Sequence, residues 1–197
     1  MYDPWGLEGA TVAITGASTG IGAALTDAFL DSGAIVLGIS RTPDKHPTTS
    51  PNYRSYAADL SVRSETEALI DTLKADHERI DVLINNAGHA LRAPSVNYPM
   101  DDWDRLIELN LTAPFLLSRG LAPPMLHRGA GKVIFTASLW SFLGGRSVPA
   151  YTVTKSGIAG MIRALSNEWA PQGVQVNGIA PGYIDTDLTR PAINDPE

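Results

Sequence analysis

The sequence contains no cysteine, which excludes disulfide bonds, thiolate metal sites and a cysteine nucleophile. We expect no bound metal. Charged residues make up only 18% of the chain and the formal net charge is -6, so the composition lacks the basic footprint of a nucleic-acid-binding protein. No apolar run reaches membrane-spanning length, and the first residues lack the basic and apolar regions of a signal peptide. We therefore expect a cytoplasmic protein that binds neither nucleic acid nor membrane.

What the chain does contain is a regular alternation of short apolar runs and helical patterns. Its 197 residues, 44% of them hydrophobic, suit one domain spanning residues 1–197. The apolar runs do not alternate with polar residues, which is typical of strands buried on both faces of a parallel sheet. Their order with the helices predicts an α/β fold built on a doubly wound parallel sheet. The predicted strands are Thr11–Thr15, Ala34–Ile39, Tyr53–Ala57, Asp81–Asn85, Lys132–Ala137 and Val174–Ile179.

Two long helices are predicted in the second half of the chain. The first covers Asp101–Arg119 and is bent or ended by Pro123-Pro124. The other runs from Ala150 to about Trp169. Asn110 lies inside the first helix, where asparagine has poor helix propensity. It has either a specific role there or an ordinary place on the helix surface.

A glycine-rich turn follows the first predicted strand and opens a helix. It reads Gly16-Ala-Ser-Thr-Gly20-Ile-Gly22. Glycines allow a tight turn and a close backbone approach, while the helix end presents free N–H groups and partial positive charge. The spacing differs from the commoner Gly-x-Gly-x-x-Gly, but the strand–turn–helix context is the one that a phosphate site requires.

The residues after the second and third strands bear on the adenosine end of a dinucleotide. An acidic residue after the second strand would hold the ribose 2′-hydroxyl of NAD. This chain has Ser40-Arg41 instead, and arginine suits a 2′-phosphate. We therefore favour NADP over NAD, the other interpretation being an exposed loop arginine. Asp59, after the third strand, either shapes the turn or meets the adenine amino group.

A phenol and an ammonium share one face of the last long helix. Tyr151 and Lys155 stand four residues apart. A free tyrosine has a pKa of about 10. A cation about 4 Å away would favour the phenolate by roughly 4 kcal/mol at an effective dielectric of about 20, which is about three pK units, before desolvation opposes it. Ser138, where the fifth strand ends, can add a hydroxyl. Alone, the pattern would more often be an ordinary helix face.

These candidates converge because each follows the carboxyl end of a predicted strand. The glycine turn, Asn86-Ala-Gly88, Ser138, Tyr151 and Pro181-Gly182 all do so. Ligands of open parallel sheets bind outside the carboxyl ends of the strands. The sequence therefore predicts one site at that edge of the sheet.

In the same order, Thr15-Gly16-Ala-Ser-Thr-Gly20-Ile-Gly22, Asn85-Asn86-Ala87-Gly88, Ser138, Tyr151-x-x-x-Lys155 and Pro181-Gly182 resemble the short-chain dehydrogenase/reductase family. The resemblance runs from about Leu7 to Thr186. It implies a Rossmann-type sheet of strand order 3-2-1-4-5-6, hydride transfer between NAD(P) and a secondary alcohol or ketone, and a homo-oligomer, dimer or tetramer. It implies four catalytic residues: Tyr151 as general acid/base, Lys155 lowering its pKa, Ser138 orienting the substrate oxygen and Asn110 steadying a relay water. Further cofactor contacts implied are Ser18, Thr19, Ile21, Leu60, Ala87, Ile184 and Thr186.

The stretch Ser138–Thr186 is most similar to the sugar-acid members of that family, which act on compounds such as 2-dehydro-3-deoxy-D-gluconate and 2-deoxy-D-gluconate. The shared segments include Ser141-Phe-Leu-Gly-Gly and Ile179-Ala-Pro-Gly-Tyr183. Arg92 matches an arginine of that group that could pair with a substrate carboxylate, or it is a surface arginine. The implied substrate contacts are Arg92, Ser138, Trp140, Tyr151 and Tyr183.

The chain departs from those relatives in two places. It has Ser40-Arg41 where the sugar-acid enzymes usually have an acidic residue, and it stops at Glu197, before the loop and seventh strand with which the family normally continues. We therefore expect a C-terminally truncated chain. Two other functions stay open: a 3-oxoacyl-thioester reductase, and a non-catalytic nucleotide-binding protein of the same fold.

Overall fold

A computed structural model describes residues 6–187, 189 and 190. Six strands form one sheet in the order β3-β2-β1-β4-β5-β6, and every neighbouring pair is parallel. The predicted fold class and strand order are confirmed, and each predicted strand boundary is within one residue of the observed one. The strands are β1 Thr11–Thr15, β2 Ile35–Ser40, β3 Tyr53–Ala57, β4 Val82–Asn85, β5 Gly131–Thr136 and β6 Val174–Ile179.

Helices cover both faces of the sheet because the central strands are apolar on both sides. On one face Val12, Ile14, Val36 and Ile84 pack with Leu25 and Phe29 of α1. The larger cluster on the other face joins Leu37, Leu83 and Phe135 to residues of α2, α4 and α5. The helices are α1 Gly20–Asp31, α2 Arg63–Asp76, α3 Met100–Ile107, α4 Ala113–Arg128 and α5 Pro149–Trp169.

The prediction of a single helix over Asp101–Arg119 is wrong. The structure has α3, a π-helical turn at Glu108–Thr112 and then α4, and α4 continues through Pro123 and Pro124 to Arg128. A proline removes one hydrogen bond and crowds the carbonyl four residues earlier. Both prolines are exposed, as is Arg119, so a carbonyl freed there can bond to water and the helix need not end.

The sheet is covered unevenly. Along β6, Gln175 and Asn177 are exposed and Ile179 is 59% exposed, while Val174 and Val176 are buried against α5. Among the described residues, then, the last strand packs on one face only. None of the described helices is both long and apolar enough to cross a membrane.

Candidate active site

A hydrogen-bond network joins the carboxyl ends of β1, β4 and β5. The Thr15 hydroxyl accepts hydrogen bonds of 2.9 Å from the N–H groups of both Asn86 and Ala87. The Asn86 side chain donates to the Thr15 carbonyl and accepts from the Thr136 hydroxyl. The Thr136 carbonyl in turn accepts a 2.6 Å hydrogen bond from the Lys155 ammonium. Hydrogen bonds thus connect the end of β1, through the ends of β4 and β5, to α5, the helix that carries Tyr151.

The glycine turn requires glycine for two reasons. Gly16 and Gly20 have φ of +69° and +54°, a region that other residues rarely adopt. At Gly22 a Cβ would lie 2.0 Å from the Gly16 carbonyl oxygen. A Cβ on Gly20 would lie 3.2 Å from Thr186 Cγ2, so the segment after β6 reaches the turn. The backbone around the turn is therefore open to a phosphate at the start of α1.

A cleft of about 350 Å³ extends from this turn along the carboxyl ends of β2 and β3. Its charged groups come from different elements: Arg41 and Lys45 follow β2, Asp59 follows β3, and Asp102 and Arg105 belong to α3. The remaining lining residues are Gly16, Ser18, Thr19, Ile39, Ser40, Thr42, Leu60, Ala87, Gly88, His89, Leu91, Leu106 and Leu109. The cleft lies outside the carboxyl ends of the strands, where open parallel sheets bind their ligands.

The cations of the cleft act on two of its other titratable groups, Asp59 and His89. Burial alone would raise the pKa of Asp59, but hydrogen bonds from Ser61 and the charges of Arg41 and Arg105 bring that pKa below its usual value. Burial lowers the pKa of His89, and the same two arginines lower it further against the opposing charge of Asp102. The electrostatic character of the cleft is therefore basic, although the chain as a whole is acidic.

Ser138 is held in place by a reciprocal capping box at a 3-10 turn, Leu139–Ser141. Its hydroxyl accepts from Trp140 N–H at 3.2 Å, and its own N–H donates to the Ser141 hydroxyl at 3.2 Å. Ser141 then donates a 2.7 Å hydrogen bond to the Lys155 carbonyl. This fastens the Ser138 loop to α5, and the Ser138 hydroxyl lies close enough to the Tyr151 phenol to lower its pKa.

The expected fall in the pKa of Tyr151 is not what the structure shows. Burial raises the pKa of the phenol, and the hydrogen bond from Ser138 only partly opposes this. The Lys155 ammonium lies 5.6 Å from the centroid of the Tyr151 ring and donates to the Thr136 carbonyl. Lys155 is itself buried, which lowers its pKa to about 8. Desolvation is thus the largest effect on the pKa at both residues.

Asn110 lies in the π-helical turn and is 1% exposed. Its side chain accepts from the His89 N–H at 3.0 Å and donates to the His89 carbonyl at 2.8 Å, with a further contact to Thr154 at 3.3 Å. A Cβ on Gly88 would lie 3.3 Å from the Asn110 side-chain oxygen and 3.7 Å from the Lys155 nitrogen. Asn110 and Lys155 therefore both approach Gly88, and π-turns are frequent at functional sites.

The proposed substrate residues surround the same end of the sheet. Arg92 is exposed, and the N–H of its neighbour Ala93 donates to the Ser147 carbonyl at 2.9 Å. That bond ties the Arg92 loop to the segment leading to Tyr151. Trp140 is half-buried beside Gly145, and Tyr183 is 59% exposed. Pro181, Gly182 and Ile184 lie on the same segment after β6.

Several residues that build the site carry no sequence signal strong enough to single them out. Thr15 and Thr136 act through side chains at strand ends, Ser141 through the capping box, and Lys45 and Arg105 through the cleft. The Ser-x-x-Ser spacing at Ser138 could have indicated the capping box, whose usual form ends in Glu or Gln. The described residues contain no group of three or more acidic or histidine side chains placed to hold a metal ion.

A second cavity, of about 540 Å³, lies away from these residues at the ends of α2 and α4. Lys74, His127 and Arg128 line it, and they belong to the last turns of those helices, where cations are stabilised by the helix dipole. Arg79 and Arg128 face Asp81, with N–O distances of 2.6 and 3.6 Å. The basic side chains that line this cavity are therefore explained by the helix ends and by the ion pairs with Asp81.

A turn shaped for a phosphate and a phenol able to carry a proton, at one edge of a parallel sheet, define a nicotinamide-dependent oxidoreductase. A family model described as short chain dehydrogenase matches residues 10–197. The chain therefore belongs to the short-chain dehydrogenase family, as the sequence resemblance implied.

Several of the similar proteins are named as sugar-acid enzymes. The chain is 42% identical to the 2-dehydro-3-deoxy-D-gluconate 5-dehydrogenase of Pseudoalteromonas atlantica, over 100% of this chain and 81% of that protein. A protein from Beutenbergia cavernae, solved with NADP at low occupancy, has a TM-score of 0.91 at 37% identity, covering 98% of this chain and 79% of that one. A gluconate 5-dehydrogenase from Burkholderia cenocepacia in complex with NADP and tartrate has a TM-score of 0.89 at 32% identity, with coverages of 98% and 79%.

Proposed function

We propose that this protein is an NADP-dependent dehydrogenase that interconverts a secondary hydroxyl and a ketone on a sugar acid, such as 2-dehydro-3-deoxy-D-gluconate or 2-deoxy-D-gluconate. The observation that carries the reaction type is the placement of Ser138, Tyr151 and Lys155 at the sheet edge that holds the glycine turn. The names of the similar proteins and the position of Arg92 support the substrate class.

The chain's residues fit a dinucleotide phosphate. A Cβ would fill the cradle at Gly22, and the adjoining cleft is lined by Arg41, Lys45 and Arg105. The glycine turn would hold the pyrophosphate, Ser40 and Arg41 the adenosine ribose with its 2′-phosphate, and Asp59 and Leu60 the adenine. When bound, the nicotinamide supplies the hydride acceptor or donor. NAD is the alternative cofactor, because the cleft would also admit a nucleotide without the 2′-phosphate.

The protonation states suit ketone reduction near neutral pH. Because burial raises the pKa of Tyr151, the phenol keeps its proton and can donate it to a ketone oxygen that Ser138 orients. Alcohol oxidation needs the phenolate, so its rate should rise with pH. The Lys155 ammonium favours that phenolate and is itself lost as the pH rises past about 8.

The substrate class can be tested with a panel of sugar acids, keto acids and neutral sugars, each with NADPH and NADH. We expect turnover with a 5-keto or 3-keto sugar acid and NADPH, and an increase in KM without loss of kcat in Arg92→Met if Arg92 binds the carboxylate. Cofactor binding without turnover on any member would instead favour a non-catalytic nucleotide-binding protein.

A second substrate class has one observation in its favour. Phe142 and Leu143, beyond the Ser138 turn, are 71% and 59% exposed, and Ile184 is 47% exposed. Exposed apolar side chains on these two segments could contact an acyl chain, as a 3-oxoacyl-thioester reductase requires. Acetoacetyl thioesters therefore belong in the panel, and reduction of these in preference to sugar acids would replace the sugar-acid proposal.

We also propose that the protein forms a homo-oligomer, a dimer or tetramer, through the α3–α4 region and α5. Phe115 on α4 and Val153 on α5 are 41% and 46% exposed. Exposed apolar side chains on neighbouring helices are typical of a surface that binds a second copy.

A further inference from the structure

The cleft beside the glycine turn contains a lysine that the sequence pattern did not single out. Lys45 lines it together with Arg41. Arg105, on the other side, lies 4.0 Å from the Asp59 carboxylate, whereas neither Arg41 nor Lys45 forms an ion pair with a described carboxylate. Two cations that follow β2 are thus available to an anion in the cleft.

The backbone after β2 places Lys45 at the cleft. A 3-10 turn, Pro43–Lys45, begins three residues after the strand ends. Its proline fixes φ at the first position. The Lys45 N–H donates to the Thr42 carbonyl and the His46 N–H to the Pro43 carbonyl, both at 3.2 Å. The turn therefore sets the direction in which Lys45 leaves the chain.

His46 anchors this turn to the body of the protein. Its side chain is only 6% exposed, and its ring centroid lies 5.7 Å from that of Tyr53. Its Nε2 lies 3.2 Å from an Asp27 carboxylate oxygen on α1, although the two atoms form no hydrogen bond. Tyr53 fits against β2 only because residue 38 is glycine, since a Cβ there would lie 2.2 Å from the Tyr53 hydroxyl.

We propose that Lys45 is a specificity-determining residue that binds the 2′-phosphate of NADP together with Arg41, and that His46 is the positioning residue that holds Lys45 there. This inference rests on the proposed NADP dependence, and it adds a second cation, Lys45, to Arg41 at the 2′-phosphate. Arginine binds a phosphate through a planar fork and lysine as a point charge. The two together neutralise most of a phosphate dianion, which one arginine cannot do.

Isothermal titration of the protein with two nucleotide probes tests the inference without any substrate. The probe 2′,5′-ADP carries the 2′-phosphate, and 5′-AMP lacks it. Wild type should bind 2′,5′-ADP more tightly, and equal binding would overturn the NADP dependence and this inference together. With that preference established, Lys45→Met should weaken 2′,5′-ADP by about tenfold and 5′-AMP by less than about twofold. No loss, or an equal loss for both probes, overturns the role of Lys45 alone.

Three further variants separate charge, position and general effects. Lys45→Arg keeps the charge and should keep the preference for 2′,5′-ADP, whereas Lys74→Met removes an exposed lysine of α2 and should change neither probe. Asp27→Asn removes the charge of an exposed carboxylate, whose side chain is 64% accessible. It should weaken 2′,5′-ADP several-fold with an unchanged melting temperature. Unchanged 2′,5′-ADP affinity in Asp27→Asn would remove the anchoring role of His46.

Discussion

Burial acts in opposite directions on the two groups that carry protons in the site. It raises the pKa of the Tyr151 phenol and lowers that of the Lys155 ammonium to about 8. Both changes favour the neutral form of the side chain. Burying Tyr151 and Lys155 in their charged forms would therefore lower the free energy of unfolding. Two single substitutions can separate this effect on stability from the chemical role of each residue.

Tyr151→Phe should reduce turnover by at least about a hundredfold, the scale of one general acid–base group, while nucleotide binding stays nearly intact. Only the hydroxyl transfers a proton; the ring stays in place beside Lys155. Steady-state rates and fluorescence titration with NADPH measure the two effects. Tyr56→Phe, which removes a hydroxyl bonded to Asp76 and His77 far from Ser138, is the matched control. Activity within tenfold of wild type would refute the role of Tyr151.

Lys155→Met should reduce turnover and nucleotide affinity yet raise the melting temperature at pH 7. The pKa of Lys155 is about 8 in the fold against about 10.4 in an unfolded chain. The unfolded state therefore binds more protons between these values, and the destabilisation is complete below pH 8 and disappears as pH approaches 10.4. At about 1.4 kcal/mol per pK unit this amounts to about 3 kcal/mol. Melting curves at pH 7 and pH 10 measure it; a lower melting temperature than wild type at pH 7 would contradict the prediction.

Two short elements determine how accurately the site is built: the glycine turn and the 3-10 turn after β5. Each places a catalytic or binding group through backbone geometry. The glycine turn depends on the absence of side chains, and the 3-10 turn depends on a pair of serine hydroxyls.

Gly22→Ala should weaken NADPH and NADH binding by at least tenfold. Its Cβ would lie 2.0 Å from the Gly16 carbonyl oxygen, so the turn must open and lose its phosphate-binding shape. Gly160→Ala in α5 is the control, because a Cβ there would meet nothing closer than 3.9 Å. It should stabilise the protein by up to about 1 kcal/mol through helix propensity. Titration and melting curves on both variants check this, and unchanged affinity in Gly22→Ala would contradict it.

Ser141→Ala should lower kcat by about tenfold with little change in the KM for NADPH. The substitution removes the hydroxyl that accepts from the Ser138 N–H and donates to the Lys155 carbonyl, so the Ser138 loop loses its bond to α5. Ser156→Ala removes only a longer, exposed hydrogen bond to the Trp140 carbonyl and should have a smaller effect. Steady-state kinetics distinguish them, and equal effects in the two variants would show that the Ser141 bond has no special role.

How well each helix, strand or turn can be predicted from the sequence depends on the interactions that form it. Strands buried on both faces have apolar, β-branched runs, so β1, β2 and β4 could be located almost to the residue. The π-helical turn could not, because no residue pattern marks it and it depends on how α3 and α4 pack. The pKa values of Tyr151 and Lys155 depend on burial, which spacing along a helix does not reveal.

For the molecule as a whole, assembly is the next quantity to measure. A monomer has a mass of 21.0 kDa, so light scattering should give about twice or four times that value if the proposed oligomer forms. Phe115→Glu and Val153→Glu place a charge on each exposed apolar position and should shift the mass towards the monomer. Val96→Glu is the control, since Val96 is 91% exposed on a separate loop. A monomeric wild type at micromolar concentration would contradict the proposal.

The hydrogen bonds of the Thr15 hydroxyl determine whether the loop after β4 becomes ordered during folding or only when a nucleotide binds. It fixes the two amides that follow β4 while its own proton faces the Ile84 carbonyl at 3.4 Å, so all its hydrogen-bonding capacity is used within the fold. The loop at Asn86 and Ala87 therefore loses its conformational entropy when the sheet forms, not when a nucleotide arrives. Affinity for the nucleotide is therefore not reduced by ordering that loop.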